Sequence, residues 1–301
     1  MLLMATSTLS SNLAFLSISK AVLLLLLFVF SSSATLSSFD RDFSITWAPE
    51  RVKILDQGRQ LQLSLDNTSG SGFASKNKYL FGNIDMQIKL VPGNSAGTVT
   101  AYYLFSESEQ HDELDPEFLE NVSGQPYILQ TNVFASGKGE REQRLFLWFD
   151  PTQDFHTYSV IWTPPHILFL VDGIPIRRYA NKESLGVAFL NNQAMGVYSS
   201  LWTGDSWATR GGLDKIDWTQ APFLASYRNF SASTACVVTT NLNNCKQLWA
   251  HSNFNSNSDS DKQLEQEQQQ SLDWVKKNFI IYDYCTDAQR NPTPPPECAF
   301  N

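Results

Sequence analysis

Residues 39–230 predict an all-β fold of the two-sheet sandwich class, and three features carry that prediction. Apolar residues alternate with polar ones over short runs, turn-forming residues separate the runs, and no long segment repeats with a helical period. Leu61, Leu63 and Leu65 form one alternating run, and Ile84, Met86, Ile88 and Leu90 form another, so each reads as a strand with one buried face. Pro92-Gly93-Asn94-Ser95 supplies a turn before the apolar run over residues 99–104. Residues 167–178 read as a hairpin, because Asp172-Gly173 tolerates the positive φ of a type I′ turn between two apolar runs.

Two regions lie outside the sandwich. At the N-terminus Lys20 precedes the apolar run Ala21 to Phe30, followed by Ser31-Ser32-Ser33-Ala34. Ten apolar residues are too few for a bilayer span, which takes about 20, so residues 1–34 read as a signal peptide cleaved near Ala34. This predicts a secreted protein with no membrane attachment after cleavage. At the other end, residues 231–301 form an extension of different composition. Residues 252–261 are rich in Ser, Asn and Asp and read as a loop. A Gln- and Glu-rich run then leads into Leu272, Val275 and Phe279, three and four apart, which predicts one amphipathic helix over residues 261–278. The four cysteines, Cys236, Cys245, Cys285 and Cys298, all fall in this extension, and none forms a CxxC pair. In a secreted chain they predict two disulfides. Proximity suggests Cys236 with Cys245 and Cys285 with Cys298, although spacing alone does not choose among three connectivities.

The chain of 301 residues carries 22 Lys and Arg against 30 Asp and Glu, a formal charge of −8, with 17% charged residues. Such low charge content excludes a disordered chain, and the negative sign excludes the phosphate backbone of nucleic acid as partner. Asn67-Thr68-Ser69, Asn121-Val122-Ser123 and Asn229-Phe230-Ser231 are acceptor tripeptides for N-glycosylation.

One segment concentrates chemistry. In His111-Asp112-Glu113-Leu114-Asp115-Pro116-Glu117-Phe118-Leu119 acids alternate with apolar residues, so on a strand Glu113, Asp115 and Glu117 share one face. At ~3.3 Å per residue the Cα atoms of Glu113 and Glu117 stand roughly 13 Å apart. Inward-leaning side chains bring the carboxyls to roughly 5–7 Å, overlapping the ~5–5.5 Å between nucleophile and acid/base in retaining glycosidases. Mutual repulsion raises the proton affinity of the group, as a general acid requires. Asp115, shorter and between the two, suits a helper that orients a glutamate. A solvated acidic face and a Ca²⁺ site are the other readings of the same spacing. His111 reads as a packed or hydrogen-bonded residue outside the site.

The motif resembles the H-D-E-(I/L)-D-x-E-F-L-G signature of plant xyloglucan endotransglucosylase/hydrolases, within glycoside hydrolase family 16. The resemblance extends in order through Ser69-Gly70-Ser71-Gly72-Phe73, Lys89-Leu90-Val91-Pro92-Gly93-Asn94-Ser95-Ala96-Gly97, Tyr127-Ile128-Leu129-Gln130-Thr131-Asn132-Val133-Phe134 and Trp207-Ala208-Thr209-Arg210-Gly211-Gly212. It reaches Tyr282-Asp283-Tyr284-Cys285 and Pro295-Pro296-Glu297-Cys298 in the extension.

The resemblance implies a curved jelly-roll β-sandwich over residues 35–230, with a cleft for a branched β-1,4-glucan, and a short disulfide-bonded extension over 231–301 containing one helix. It implies Glu113 as nucleophile, Asp115 as its orienting residue and Glu117 as general acid/base, acting without cofactor or metal. Donor and acceptor xyloglucan chains would be the partners, in the cell wall and apoplast. By motif position the substrate-binding residues would be Glu117, Gln130, Thr131, Asn132, Glu140, Arg141, Glu142, Trp207, Ala208, Gly212 and Arg290, with Asn121 glycosylated. Trp207 has the strongest physical case, since an indole face covers a sugar's C–H face; the amides of Gln130 and Asn132 suit hydroxyls. Trp202 and Trp218 read as core.

Two residues depart from the signature: Pro116 replaces a bulky apolar residue and Glu120 replaces Gly. Proline lacks an N–H, so a central strand would lose a ladder hydrogen bond and some core volume there. Glu120 would be harmful if its position needs positive φ or a close backbone approach. An active enzyme is therefore one expectation and a catalytically impaired xyloglucan-binding wall protein the alternative. Hydrolysis of mixed-linkage or β-1,3-glucan is disfavoured by the cysteine-bearing extension.

Overall fold

Alternating burial builds two antiparallel sheets in the computed structural model, which describes residues 37–251 and 259–300. The expected signal peptide, residues 1–34, lies outside the described residues, as do residues 252–258 of the expected loop. The strands are β1 (Phe43–Trp47), β2 (Val52–Leu55), β3 (Gln60–Leu65), β4 (Ser71–Leu80), β5 (Gly82–Lys89), β6 (Thr98–Phe105), β7 (Glu113–Leu119) and β8 (Ile128–Phe134). They continue with β9 (Gln143–Phe146), β10 (His156–Trp162), β11 (His166–Val171), β12 (Ile174–Ala180), β13 (Met195–Thr203), β14 (Phe223–Ser231), β15 (Cys236–Val237) and β16 (Ile280–Asp283). One sheet runs β1-β4-β13-β6-β7-β8-β9-β16, with β15 also paired to β4; the other runs β12-β11-β10-β5-β14-β3-β2. About half of the neighbouring strands in each sheet are distant in sequence, so the chain crosses repeatedly between layers.

The expected alternation fills the space between the sheets. Leu61, Leu63 and Leu65 of β3 and Ile84, Met86 and Ile88 of β5 are buried, as are Leu114 and Phe118 of β7 from the opposite layer. Phe73 of β4 meets Tyr227 of β14 edge to face at 5.0 Å, joining the two sheets. Trp162 is fully buried and its indole N–H donates to the Leu190 carbonyl at 2.8 Å, so its one polar atom is satisfied in the core. The hairpin of β11 and β12 turns through Asp172 (φ 49°) and Gly173 (φ 78°), the left-handed pair that a type I′ turn demands.

The extension is fastened to the sandwich at several points. Cys236 is bonded to Cys245, tying β15 to the helix Leu242–His251, and Cys285 is bonded to Cys298. The helix expected over 261–278 spans Asp259–Asn278, so the end of the expected loop is helical instead. It lies against β12, with Val275 buried and Lys276 and Lys277 in its last turn, where cations complement the helix dipole. The alternation did not announce the helix Leu242–His251 or β16, which adds to the open edge of β9.

Pro116 sits in a central strand, between β6 and β8. On the β8 side the register is unbroken, Pro116 facing Thr131. On the β6 side Leu104 pairs with Leu114 and Ala101 with Glu117, but the rungs between them are missing. That gap is where the proline nitrogen has no hydrogen to give. Because register is the same on either side of it, the loss is a local gap and not a strand slip. Glu120 requires no left-handed backbone, so the concern over positive φ does not apply; its side chain is instead fully buried.

Candidate active site

Strand β7 turns Leu114, Pro116 and Phe118 into the core, which leaves Glu113, Asp115 and Glu117 on the outer face. There they line a cleft of about 460 Å³ with Trp47, Tyr103, Phe105, Tyr198 and Trp202, contributed by β1, β6 and β13. The cleft therefore crosses the larger sheet, with the carboxyls in its floor and aromatic rings in its walls.

Each carboxyl has its own surroundings. His111 Nε2 lies 3.3 Å from Glu113 Oε2, and its ring packs between Phe105 and Phe134 at 5.0 and 5.1 Å. Glu117 Oε2 accepts from Gln130 Nε2 at 2.8 Å; Gln130 Oε1 in turn accepts from Arg144 Nε at 2.7 Å, and that guanidinium lies over the Tyr282 ring. Asp115 stands between the two glutamates and opposite Asn132.

Burial raises the proton affinity of all three. For Glu113 the charge of Glu117 adds to burial, and for Asp115 both glutamates and Glu142 add to it. Glu117 is also raised by burial, but Gln130 and Arg144 hold it back. The site thus retains protons above the ordinary carboxylate range, and they belong to the group as a whole. Tyr103, facing the same acids, is pushed up to about 12 by burial and their charge.

The other motif-derived residues divide by face. Gln130 and Asn132 share the face of the acids, but Asn132 Oδ1 is already committed to the backbone N–H groups of Val133 and Arg141 at 2.9 and 3.0 Å. Thr131 points into the core, 1% exposed, and its hydroxyl accepts from Arg177 Nη1 at 2.9 Å, so the fold does not bring its side chain together with the acids in the cleft. Arg141 is buried, paired with Glu297 at 2.6 Å and bonded to the Val133 carbonyl, so its guanidinium braces the extension. Glu142 pairs with Arg290 at 2.7 Å, while Glu140 is exposed with φ 63° and stands 3.9 Å from Arg290.

Trp207 packs beside Trp202 with ring centroids 6.0 Å apart, above the buried cluster of Val99, Leu119 and Ala208. Ala208 is thus floor beneath the tryptophans. Gly212 has φ 82°, and a Cβ there would stand 2.3 Å from the Ser206 carbonyl oxygen, so it shapes the loop. The reading of Trp202 and Trp218 as core is corrected, since Trp202 lines the cleft and Trp218 is 38% exposed. Sequence reasoning missed Tyr103 and Arg144. Tyr103 was within reach, because it shares a face of β6 with Ala101 and Phe105, which pair with Glu117 and Glu113; Arg144 becomes visible only through the β8–β9 register, where it faces Gln130.

A two-sheet sandwich with a carboxylate-floored, aromatic-walled cleft defines a class of glycan-processing proteins, and the comparisons agree. Residues 39–220 match the model of Glycosyl hydrolases family 16, and residues 246–298 match Xyloglucan endo-transglycosylase (XET) C-terminus. The chain is 54% identical to "Probable xyloglucan endotransglucosylase/hydrolase protein 16" of Arabidopsis thaliana over 93% of its length and 97% of that protein. It is 55% identical to "Xyloglucan endotransglucosylase protein 1" of Diospyros kaki over 87% of its length and 88% of that protein. Among solved structures a laminarinase from Flavobacterium sp. UMI-01 superposes with TM-score 0.52 at 15% identity, covering 68% of this chain and 96% of that one. A lichenase from a mouse hindgut metagenome superposes at 0.51 and 21%, covering 64% and 95%, a likeness of fold. The chain belongs to glycosyl hydrolases family 16, in the branch of the xyloglucan endotransglucosylase/hydrolases.

Proposed function

We propose that this protein cleaves the β-1,4-glucan backbone of xyloglucan with retention and passes the cleaved fragment to another xyloglucan chain or to water. The observation that carries the reading is the row of Glu113, Asp115 and Glu117 in the cleft floor of a family member. Glu113 attacks the anomeric carbon while Glu117 gives its proton to the departing glycosidic oxygen, leaving the fragment as a glycosyl ester of Glu113. Glu117, now ionised, takes a proton from the acceptor hydroxyl, whose oxygen displaces Glu113; two inversions give net retention. Asp115, flanked by both glutamates in the cleft floor, orients the nucleophile. The Gln130–Arg144 chain fixes the Glu117 carboxyl for its two proton transfers.

Trp207 and Trp202 offer flat faces to sugar rings, and Arg290 of the extension is held by Glu142, the residue before β9 of the same sheet. Residues 35–230 form the catalytic sandwich and 231–301 its extension. With residues 1–34 as signal peptide and Asn121 as glycan acceptor, the protein acts outside the cell, in the wall. One observation favours a second reading, a xyloglucan-binding protein with little turnover: the missing β6–β7 rungs beside Pro116.

The test is product analysis on xyloglucan, with and without a labelled xyloglucan oligosaccharide, beside a Glu113→Gln control. Label entering polymer marks transfer, and falling polymer mass without incorporation marks hydrolysis. Binding with neither activity favours the second reading, and no binding overturns both.

A further inference from the structure

Glu120, one residue past β7, has no role in the chemistry above, yet it is wholly buried and densely held. Thr100 Oγ1 donates to its Oε1 at 2.6 Å, and Thr98 Oγ1 contacts its Oε2. Thr98 Oγ1 also lies 2.8 Å from the Ser95 carbonyl oxygen, which can only accept. A threonine hydroxyl has one proton, and here it faces two acceptors if Glu120 is ionised. A proton on Glu120 resolves the conflict: the acid donates to Thr98 Oγ1, and Thr98 donates to Ser95. The Val91 N–H and the Ser95 hydroxyl also face the carboxyl and favour its anion, although Ser95 Oγ lies 2.6 Å from the Tyr127 hydroxyl, which itself donates to the Val91 carbonyl. The ionisable groups facing the carboxyl from neighbouring elements are the phenols of Tyr127 and of Tyr227 on β14; neither supplies a positive charge.

The main chain of Glu120 reaches the other way. Its carbonyl accepts from Thr209 Oγ1 at 2.7 Å, and the same Thr209 oxygen accepts from the Gly97 N–H at 2.7 Å. Gly97 in turn accepts from Gly204, and Gly204 from Trp207. Glu120 is therefore the point where the strand carrying the three acids, the Ser95 turn and the Trp207 loop are tied together.

We propose that Glu120, held as a neutral carboxylic acid, is a positioning residue that fixes the Trp207 loop over the end of the acidic strand. Ionising it leaves Thr98 one proton for two acceptors and puts a charge in the core, which loosens the Ser95 turn and, through Gly97 and Thr209, the loop. Burial pushes its titration up to about 7, against the hydrogen bonds that favour the anion, so this loosening falls in an accessible range. The loop's part in gripping xyloglucan rests on the proposed function; the tie itself does not.

The test compares wild type with Glu120→Gln, whose amide mimics the neutral acid at every pH. Expected is a KM for xyloglucan that rises at least about threefold in wild type between about pH 5.5 and about pH 8 but stays level in Glu120→Gln. Any pH effect of the three cleft acids appears in both proteins and cancels in the ratio. Tryptophan fluorescence and melting temperature are followed over the same range; the buried cleft acids move both proteins alike, and wild type should show an additional titration near about pH 7 that Glu120→Gln lacks. Matching profiles of wild type and Glu120→Gln in all three readouts overturn the proposal. If neither protein turns over xyloglucan, the proposed function fails, and the spectroscopic and melting comparison still decides for or against the tie.

Discussion

Glu117 illustrates how a single side chain is prepared by its neighbours. Burial raises its proton affinity, while the amide of Gln130, itself oriented by Arg144, limits the rise and fixes the carboxyl. In the proposed reaction Glu117 gives a proton and then recovers it, which takes both effects. Glu117→Gln keeps the shape and loses the proton, so kcat on xyloglucan should fall about 10²–10⁴-fold with the fold retained by circular dichroism. The neighbouring Thr131 has no such role because the pleat turns it to the other face, where it serves the buried Arg177.

At the scale of the element, β7 is a central strand interrupted on one side. Pro116→Ile supplies the missing N–H and fills core volume, and about 1 kcal/mol for one ladder hydrogen bond translates into a melting temperature higher by roughly 2–4 °C. Since the register on the β8 side is already intact, turnover should change less than about tenfold; a much larger gain would mean the acids are displaced in the natural chain. The extension hangs on a buried pair, Arg141 with Glu297, between the Cys285–Cys298 bridge and β8. Glu297→Ala strands the guanidinium and should cost about 3–5 kcal/mol in urea unfolding, whereas Arg141→Met with Glu297→Leu should recover most of it. Equal losses in single and double variants would refute that account.

The whole molecule carries a set of buried acids whose titration sets its stability profile. Asp85, Asp112, Glu113, Asp115, Glu117 and Glu120 all hold protons more tightly folded than unfolded, with burial the leading cause in each. Their contribution is fully present below the unfolded carboxyl pKa and is lost as pH rises through the folded values. His166, pushed down to about 4 by burial, works in the opposite direction between its unfolded pKa and that value. Six groups outweigh one, so the melting temperature should be higher at about pH 5 than at about pH 7.5, and Asp115→Asn should flatten that slope. A melting temperature that rises with pH over this range would contradict the assignment. Stability is thus set against the cleft: the acids proposed to perform the chemistry are among those the fold holds at a cost when ionised.

The sequence by itself determined whatever follows from local period. The two-residue repeat of the pleated strand places every second residue on one face, so Glu113, Asp115 and Glu117 were bound to share a surface wherever β7 lay, and Leu61, Leu63 and Leu65 were bound to face a core. The amphipathic spacing of Leu272, Val275 and Phe279 likewise fixed a helix. Motif positions suggested which residues meet substrate, but a motif does not say which way a side chain points. Tertiary packing decided that Thr131 and Arg141 serve the interior, that Trp202 walls the cleft, and that β16 closes on β9. It also decided that Glu120, at a position where the signature has glycine, is clasped by Thr98 and Thr100 some twenty residues earlier in the chain. The physical reason is separation: strand period is set within a few residues, whereas a buried polar group finds its partners only after distant segments are packed together.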